Sequence, residues 1–262
     1  MNDSLFSVSD QVVLVSGASR GIGKRLAQGF AERGAQVVIT GRQQDTLEKT
    51  ADELSTDEAK VDFVVCDVAK PEDIESTVST VLKRHGRVDT LVNVAGVNKR
   101  KRSESYTPEE YDFILDINLK GAFHVAQAVG RHMIERGSGA QINIDSLNTY
   151  APLKGVVPYA MSKGGLTMMT RGLANEWGDY GVRVNGLAPG MILTDLNRAL
   201  WAKPHMREWG LNNTPLGRLG EVDDLVGTTV FLASPASAFI TGQVLYVDGG
   251  MSAGFRWPID MD

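Results

Sequence analysis

The sequence predicts one α/β domain: a doubly wound parallel sheet of about seven strands with helices on both faces. Three observations predict it. Short apolar, β-branched runs alternate with longer helical patterns along the chain. The runs are almost wholly apolar, as expected of strands covered on both faces. The 262 residues contain no Pro/Ser-rich linker, no low-complexity tract and no sequence repeat, so residues 1–262 read as a single domain.

The elements follow in order. Val12 to Val15 reads as a strand and Ile22 to Arg33 as the helix after it. Val37 to Ile39 is the second strand, followed by a helix over Gln43 to Leu54. Val61 to Val65 leads into a helix over Glu72 to His85, and Val88 to Val94 forms the fourth strand. Gly34 and Gly86 stand where helices should stop. Helices are expected over 109–136 and 157–179, with strands at Gln141 to Ile144, Val182 to Leu187 and Gln243 to Val247. The stretch 191–220 breaks the rhythm, holding Trp201, Pro204, Trp209 and Pro215. It reads as a lid over a site, or equally as a packed excursion or subunit contact.

Composition excludes several classes. The chain is 42% hydrophobic and 23% charged, ordinary for a globule and against wholesale disorder. A net charge of −5 lacks the footprint of a nucleic-acid binder. One cysteine, Cys66, makes neither an internal disulfide nor a cysteine metal site. The N-terminal residues carry no signal-peptide pattern and no apolar run approaches a bilayer span, so a cytoplasmic protein without a membrane partner is expected. His85, His124, His132 and His205 have no ligand spacing, and no metal is expected. Met161, Met168 and Met169 read as helix packing and Trp177 as a helix anchor.

Glycine is the outlier, at 28 residues. Some fall in Ser16-Gly17-Ala18-Ser19-Arg20-Gly21-Ile22-Gly23, a strand-to-helix turn whose backbone N–H groups suit phosphate. A Walker A loop is excluded, because Ala18 stands at its first glycine and Arg25 at the position of its Mg²⁺-binding hydroxyl. The second strand ends in Thr40-Gly41-Arg42, with no carboxylate for a ribose hydroxyl. Arg42, with Arg20 in reach, suits a 2′-phosphate, so NADP is expected over NAD.

Tyr159 and Lys163 stand at i and i+4 and share a helix face. An ordinary phenol titrates near ~10 and is a poor acid/base at neutrality, but a neighbouring ammonium favours the phenolate. Ser146 lies 13 residues earlier at a strand end, and Asn118 falls in a helical pattern. Asn93-Val94-Ala95-Gly96 ends the fourth strand and Pro189-Gly190-Met191-Ile192-Leu193-Thr194 follows the sixth. Strand ends are where open parallel sheets bind ligands.

With these spaced motifs the chain resembles the short-chain dehydrogenase/reductase family, a Rossmann-type fold, from about residue 10 to 250. The resemblance implies that Asn118, Ser146, Tyr159 and Lys163 form the catalytic tetrad. Tyr159 would pass a proton to or from the substrate oxygen, and Ser146 would hydrogen-bond that oxygen. Lys163 would bind the nicotinamide ribose and favour the phenolate, and Asn118 would hold a water linking Lys163 to solvent. It further implies that Gly17, Ser19, Arg20, Gly21, Ile22, Gly23 and Arg42 border the cofactor phosphates. Asp67 and Val68 would lie by the adenine, Asn93, Ala95 and Gly96 along the cofactor, and Pro189, Gly190, Ile192 and Thr194 at the nicotinamide. The chain departs from the family in having Val94, where a second asparagine is common, and Asp145, where a small residue is usual. On a strand, Asp145 should point away from Ser146 toward a buried partner.

The similarity is greatest to the polyol, sugar and sugar-acid (gluconate 5-dehydrogenase-like) branch, with 3-oxoacyl-carrier reductases sharing much of the pattern. The expected activity is therefore NADP-dependent interconversion of an alcohol and a carbonyl on a polyol, sugar or sugar acid. The alternatives are a 3-oxoacyl-thioester reductase and a non-enzymatic dinucleotide sensor, which would typically lose the Tyr/Lys pair. Asn148 is read as a substrate contact, or equally as a turn residue. Lys99-Arg100-Lys101-Arg102 is read as attracting an anionic substrate or the cofactor phosphates, or else as a solvated loop or subunit contact. The resemblance implies a homotetramer built on helices 109–136 and 157–179. The apolar segment Phe255 to Ile259 is expected to dock on a neighbouring subunit or to close the site.

Overall fold

A computed structural model describes residues 4–56, 59–254 and 259. Seven strands, β1 (Val12–Ser16), β2 (Gln36–Gly41), β3 (Asp62–Val65), β4 (Thr90–Asn93), β5 (Gly139–Ile144), β6 (Val182–Pro189) and β7 (Val244–Val247), form one sheet in the order β3-β2-β1-β4-β5-β6-β7. Every neighbouring pair is parallel. Strand order reverses between β1 and β4, so a crevice opens beyond their carboxyl ends.

Both faces of β1 are buried because its side chains alternate between two cores. Val13 and Val15 join α1 (Gly21–Ala31), α2 (Gln44–Leu54) and the late helix Val226–Ala233 on one face. Val12 and Leu14 join α3 (Pro71–His85) and two further helices on the other. The ends of α3 follow from sequence. Pro71 and two acidic residues start it, Lys83, Arg84 and His85 fill its last turn, and Gly86 ends it at φ 77°.

The helix expected over 109–136 is three pieces. It comprises α4 (Pro108–Leu115), a π-helical turn (Asp116–Gly121) and α5 (Ala122–Arg136). The interruption has a tertiary cause. A Cβ on Gly121 would stand 2.4 Å from the Val68 carbonyl oxygen, so the chain passes close there and takes a wider turn. Next, α6 runs over Val157–Trp177, and Trp177 packs against Gly130 of α5, where a Cβ would lie 2.5 Å from its ring. The methionine reading needs correction. Met169 packs against the core, but Met161 and Met168 are exposed, because α6 buries the stripe from Ser162 and Lys163 through Leu166 and Thr170 to Leu173.

The excursion 191–220 carries α7 (Arg198–Trp201) and α8 (Pro204–Asn213); α9 (Val226–Ala233) follows it. Its neck is closed, since Leu193 N–H donates to Gly220 O (2.7 Å) and Gly220 N–H to Met191 O (2.9 Å). Trp201 and Leu219 meet over Gly210 as a small core of its own. Among the described residues no helix is long and apolar enough to cross a membrane, and no group of His, Cys, Asp or Glu could hold a metal ion. Of the C-terminal segment, Phe255 to Pro258 lie outside the described residues, and Ile259 is exposed.

Candidate active site

The glycine turn leaves β1 at Ser16. Gly17 and Ala18 both donate to Thr40 O at 3.0 Å, binding the turn to β2. Gly17 has φ 76°, and a Cβ there would stand 2.6 Å from the Ala95 backbone. A Cβ on Gly23 would stand 2.4 Å from Gly17 O. Bare backbone is therefore required where the turn meets the end of β4. Arg20 caps α1 with extended backbone and no side-chain cap bond, which leaves the first N–H groups of the helix open to an anion. Arg20 and Arg42 are exposed and make no ion pair among the described residues. The arrangement fits a dinucleotide with an extra phosphate on its ribose. Ser19 O accepts from Thr50 Oγ1 (3.0 Å) and Ile22 packs into the first core, so both hold the turn in place.

The remaining cofactor candidates ring the same crevice. Asp67 accepts from Ala69 N–H (3.1 Å), ordering the loop after β3, and the Val68 carbonyl faces the π turn. The Asn93 side chain points inward, its Nδ2 donating to Ala122 O (2.9 Å). Val94 packs at the first core in place of an amide. Gly96 lies beside Asn118 Oδ1. Pro189 ends β6, and a Cβ on Gly190 would lie 2.6 Å from Asp248 Cα. Thr194 Cγ2 is 4.0 Å from where a Gly21 Cβ would be, so the loop after β6 lies across the glycine turn. Asn197, missed in the sequence, shapes that loop by accepting from Thr194 N–H and donating to Ile192 O.

Three members of the expected tetrad are deeply buried: Asn118, Ser146 and Lys163. Tyr159 is half-buried, and Lys163 Nζ lies 5.8 Å from its ring centroid while donating to Ile144 O at 2.6 Å. Asn118 Oδ1 accepts Val97 N–H (2.7 Å), and its Nδ2 donates to Val97 O and to Ser162 Oγ (3.1 Å). Ser162 Oγ donates in turn to Tyr159 O (2.7 Å). Ser162 thus ties the π turn to α6. Its signal was inside the Tyr-x-x-Ser-Lys run, but its partner is 44 residues away. Asn148 donates to Ser146 Oγ from both its backbone N–H and its Nδ2, each at 3.1 Å, and its Oδ1 accepts Leu153 N–H. Both lone pairs of the serine oxygen are therefore taken, and its hydrogen is free for a ligand.

Asp145 turns away from Ser146 into the gap under α6, as strand alternation expects, and accepts from Thr167 Oγ1. Burial pushes its carboxyl up to about 6. The basic run after β4 is mostly engaged. Lys99 and Lys101 reach Glu110, which is held down to about 2 chiefly by its hydrogen bond from Lys101, and Arg102 pairs with Glu104. Arg100 alone of the four is exposed without an ion pair among the described residues.

A family model described as enoyl-(acyl carrier protein) reductase matches residues 17–252. The chain is 40% identical over 248 residues to a gluconate 5-dehydrogenase of Gluconobacter oxydans, covering 95% of this chain and 97% of that one. It is 38% identical over 244 residues to a 3-oxoacyl-[acyl-carrier-protein] reductase of Chlamydia muridarum, covering 93% and 98%. Among solved structures, a gluconate 5-dehydrogenase from Burkholderia cenocepacia in complex with NADP and tartrate superposes with a TM-score of 0.93 at 40% identity, covering 96% of this chain and 98% of that one.

Proposed function

The chain belongs to the short-chain dehydrogenase/reductase family, and from that premise we propose that it is an NADP-dependent oxidoreductase interconverting a secondary alcohol and a carbonyl on a sugar acid or related polyol. One observation carries the reading: the Tyr159/Lys163 pair and a serine hydroxyl free to donate stand beside a glycine cradle at the same strand ends. Gly17, Gly21 and Gly23 with the α1 N-terminus would hold the pyrophosphate, and Arg20 and Arg42 the 2′-phosphate. When bound, NADP(H) supplies or accepts the hydride. The chain's part is the proton and the geometry. Tyr159 gives or takes the proton on the substrate oxygen, and Ser146 donates a hydrogen bond to that oxygen. Lys163 holds the ribose and sets its ammonium beside the Tyr159 ring, and Asn118 supports the water that relays protons to solvent. Asn148 acts by fixing the polarity of the Ser146 hydroxyl.

The relatives that act on gluconate support a sugar acid as substrate, and the unpaired Arg100 gives a carboxylate one cation to dock on. The excursion 191–220, closed at its neck, is the lid. Exposed Tyr111, Phe113, Phe123, Met161 and Met168 on α4, α5 and α6 support a homotetramer built on these helices. The test is a panel of polyols, sugar acids and 3-oxoacyl thioesters with NADP and NAD, read by absorbance of the reduced cofactor. Gluconate or a close relative with NADP is the expected best pair. Turnover of the thioesters alone would replace the reading with the acyl one. Arg42→Ala should lower kcat/KM with NADP by ~10-fold or more and leave NAD unaffected, since it removes the planar charged fork.

A further inference from the structure

Asp145 is buried to 2% exposure at the end of β5. Its Oδ2 accepts from Thr167, one helical turn beyond Lys163 on α6, while Oδ1 has no hydrogen-bond partner among the described residues. The residue before it, Ile144, offers the carbonyl that receives Lys163 Nζ. Carboxylate and ammonium therefore both lie where α6 covers the end of β5, one helical turn apart along α6 and within each other's field though not in an ion pair. A buried carboxylate with one oxygen unserved is expensive.

Of the other ionisable groups on the packed elements, Arg131 and Arg136 of α5 are taken by Glu75 and Asp89, while His124, His132 and Glu135 of α5 and Glu109 and Asp112 of α4 make no ion pair among the described residues. Arg183 of β6 is held by Leu232 O and Ser237 Oγ, and Asp116 and Lys120 of the π turn pair with each other at the surface. Glu110 of α4 is taken by Lys99 and Lys101. Strand β4, the turn after Ser146 and helix α9 carry no charged side chain. On α6 itself, Lys163 and Tyr159 face this end.

We propose that Asp145 is a positioning residue for the proton transfer, acting through Lys163 as the counter-charge that limits the lysine's pull on the Tyr159 phenol. A negative charge beside the ammonium opposes its field at the phenol, and removing that charge leaves the ammonium's field unopposed. The carboxyl, raised to about 6 by burial, carries that charge at neutral pH and loses it in mild acid. The proposal rests on Tyr159 being the acid/base.

The experiment is the pH dependence of kcat/KM for gluconate oxidation with NADP+, in the wild type, Asp145→Asn and Asp145→Ser. The serine variant restores a small residue should the amide not pack. Alongside it, the tyrosinate absorbance of each protein, taken as the difference from the same protein carrying Tyr159→Phe, reads the same midpoint without turnover. Both variants should keep turnover at their optimum, and the Tyr159 midpoint should fall by about one pH unit. A midpoint that stays in place, with Tyr159→Phe inactive, overturns the proposal and leaves the catalytic reading standing. A Tyr159→Phe enzyme that keeps most of its turnover overturns both.

Discussion

Two donors of Asn148 fall on one hydroxyl oxygen, and this makes a sharp prediction about a single atom. Asn148→Asp keeps the shape but turns the Nδ2 donor into an acceptor, which would draw the Ser146 hydrogen away from the substrate. Asn148→Ala loses the same donor but leaves the hydroxyl free to swing. The isosteric aspartate should therefore be the worse enzyme, down ~100-fold in kcat against ~10-fold for alanine, as expected for a lost or inverted oxyanion donor. Equal losses, or alanine worse, would point to packing instead. Asp145 carries a stability prediction independent of its catalytic one. Its carboxyl rises from the ordinary 3.8 to about 6 in the fold, so the folded protein holds that proton more tightly than the unfolded chain. The favourable contribution is complete below about pH 4 and is lost as pH rises through about 6. Removing the charge with Asp145→Asn should raise stability at pH 8 by about 3 kcal/mol, falling toward zero near pH 4. Urea unfolding at the two pH values measures it, and a gain independent of pH would sink the account.

Glycines with nearly equal dihedral angles separate strain from space at the level of elements. Gly17 (φ 76°) follows β1 with the Ala95 backbone 2.6 Å from its would-be Cβ, whereas Gly86 (φ 77°) caps α3 with nothing within 4 Å. Alanine at Gly86 should cost about 1 kcal/mol, the left-handed backbone term alone. Alanine at Gly17 adds a backbone clash and should cost more than ~3 kcal/mol and abolish NADP binding; equal shifts in Tm would refute the distinction. The same contrast explains what could be read beforehand. The alternation of strand and helix is a local signal, carried by period-two and 3.6-residue patterns, and Val12 to Val15 or Glu72 to His85 needed no tertiary information. The π turn did, because it arises where Gly121 passes Val68, residues far apart in the chain. Ser162 stands inside the Tyr-x-x-Ser-Lys run, but its task is visible only once the fold brings Asn118 to it. Asn93 was legible as a strand end, yet its side chain faces Ala122 O rather than the crevice.

Charge and apolarity at the surface distribute differently over the whole molecule than along the chain. Four consecutive cations read as a basic patch, but Glu110 and Glu104 take three of them, leaving one in a protein of net charge −5. Sequence cannot show that cancellation, since Lys101 and Glu110 meet only once α4 folds against the loop. The apolar surface runs the other way. Met161 and Met168, expected to pack their helix, are exposed at 49% and 61%, in company with Phe113 and Phe123 on neighbouring helices. Exposed apolar side chains on these helices are what the proposed tetramer would cover. If they form the tetramer contact, a charge placed there must be desolvated several times over in the assembly and not at all in the monomer. Met168→Glu should therefore split the assembly into smaller species, read as mass by light scattering, with little loss of subunit secondary structure. A wild type that already runs as one chain, or a variant that keeps four, would show that this face does not hold the subunits together.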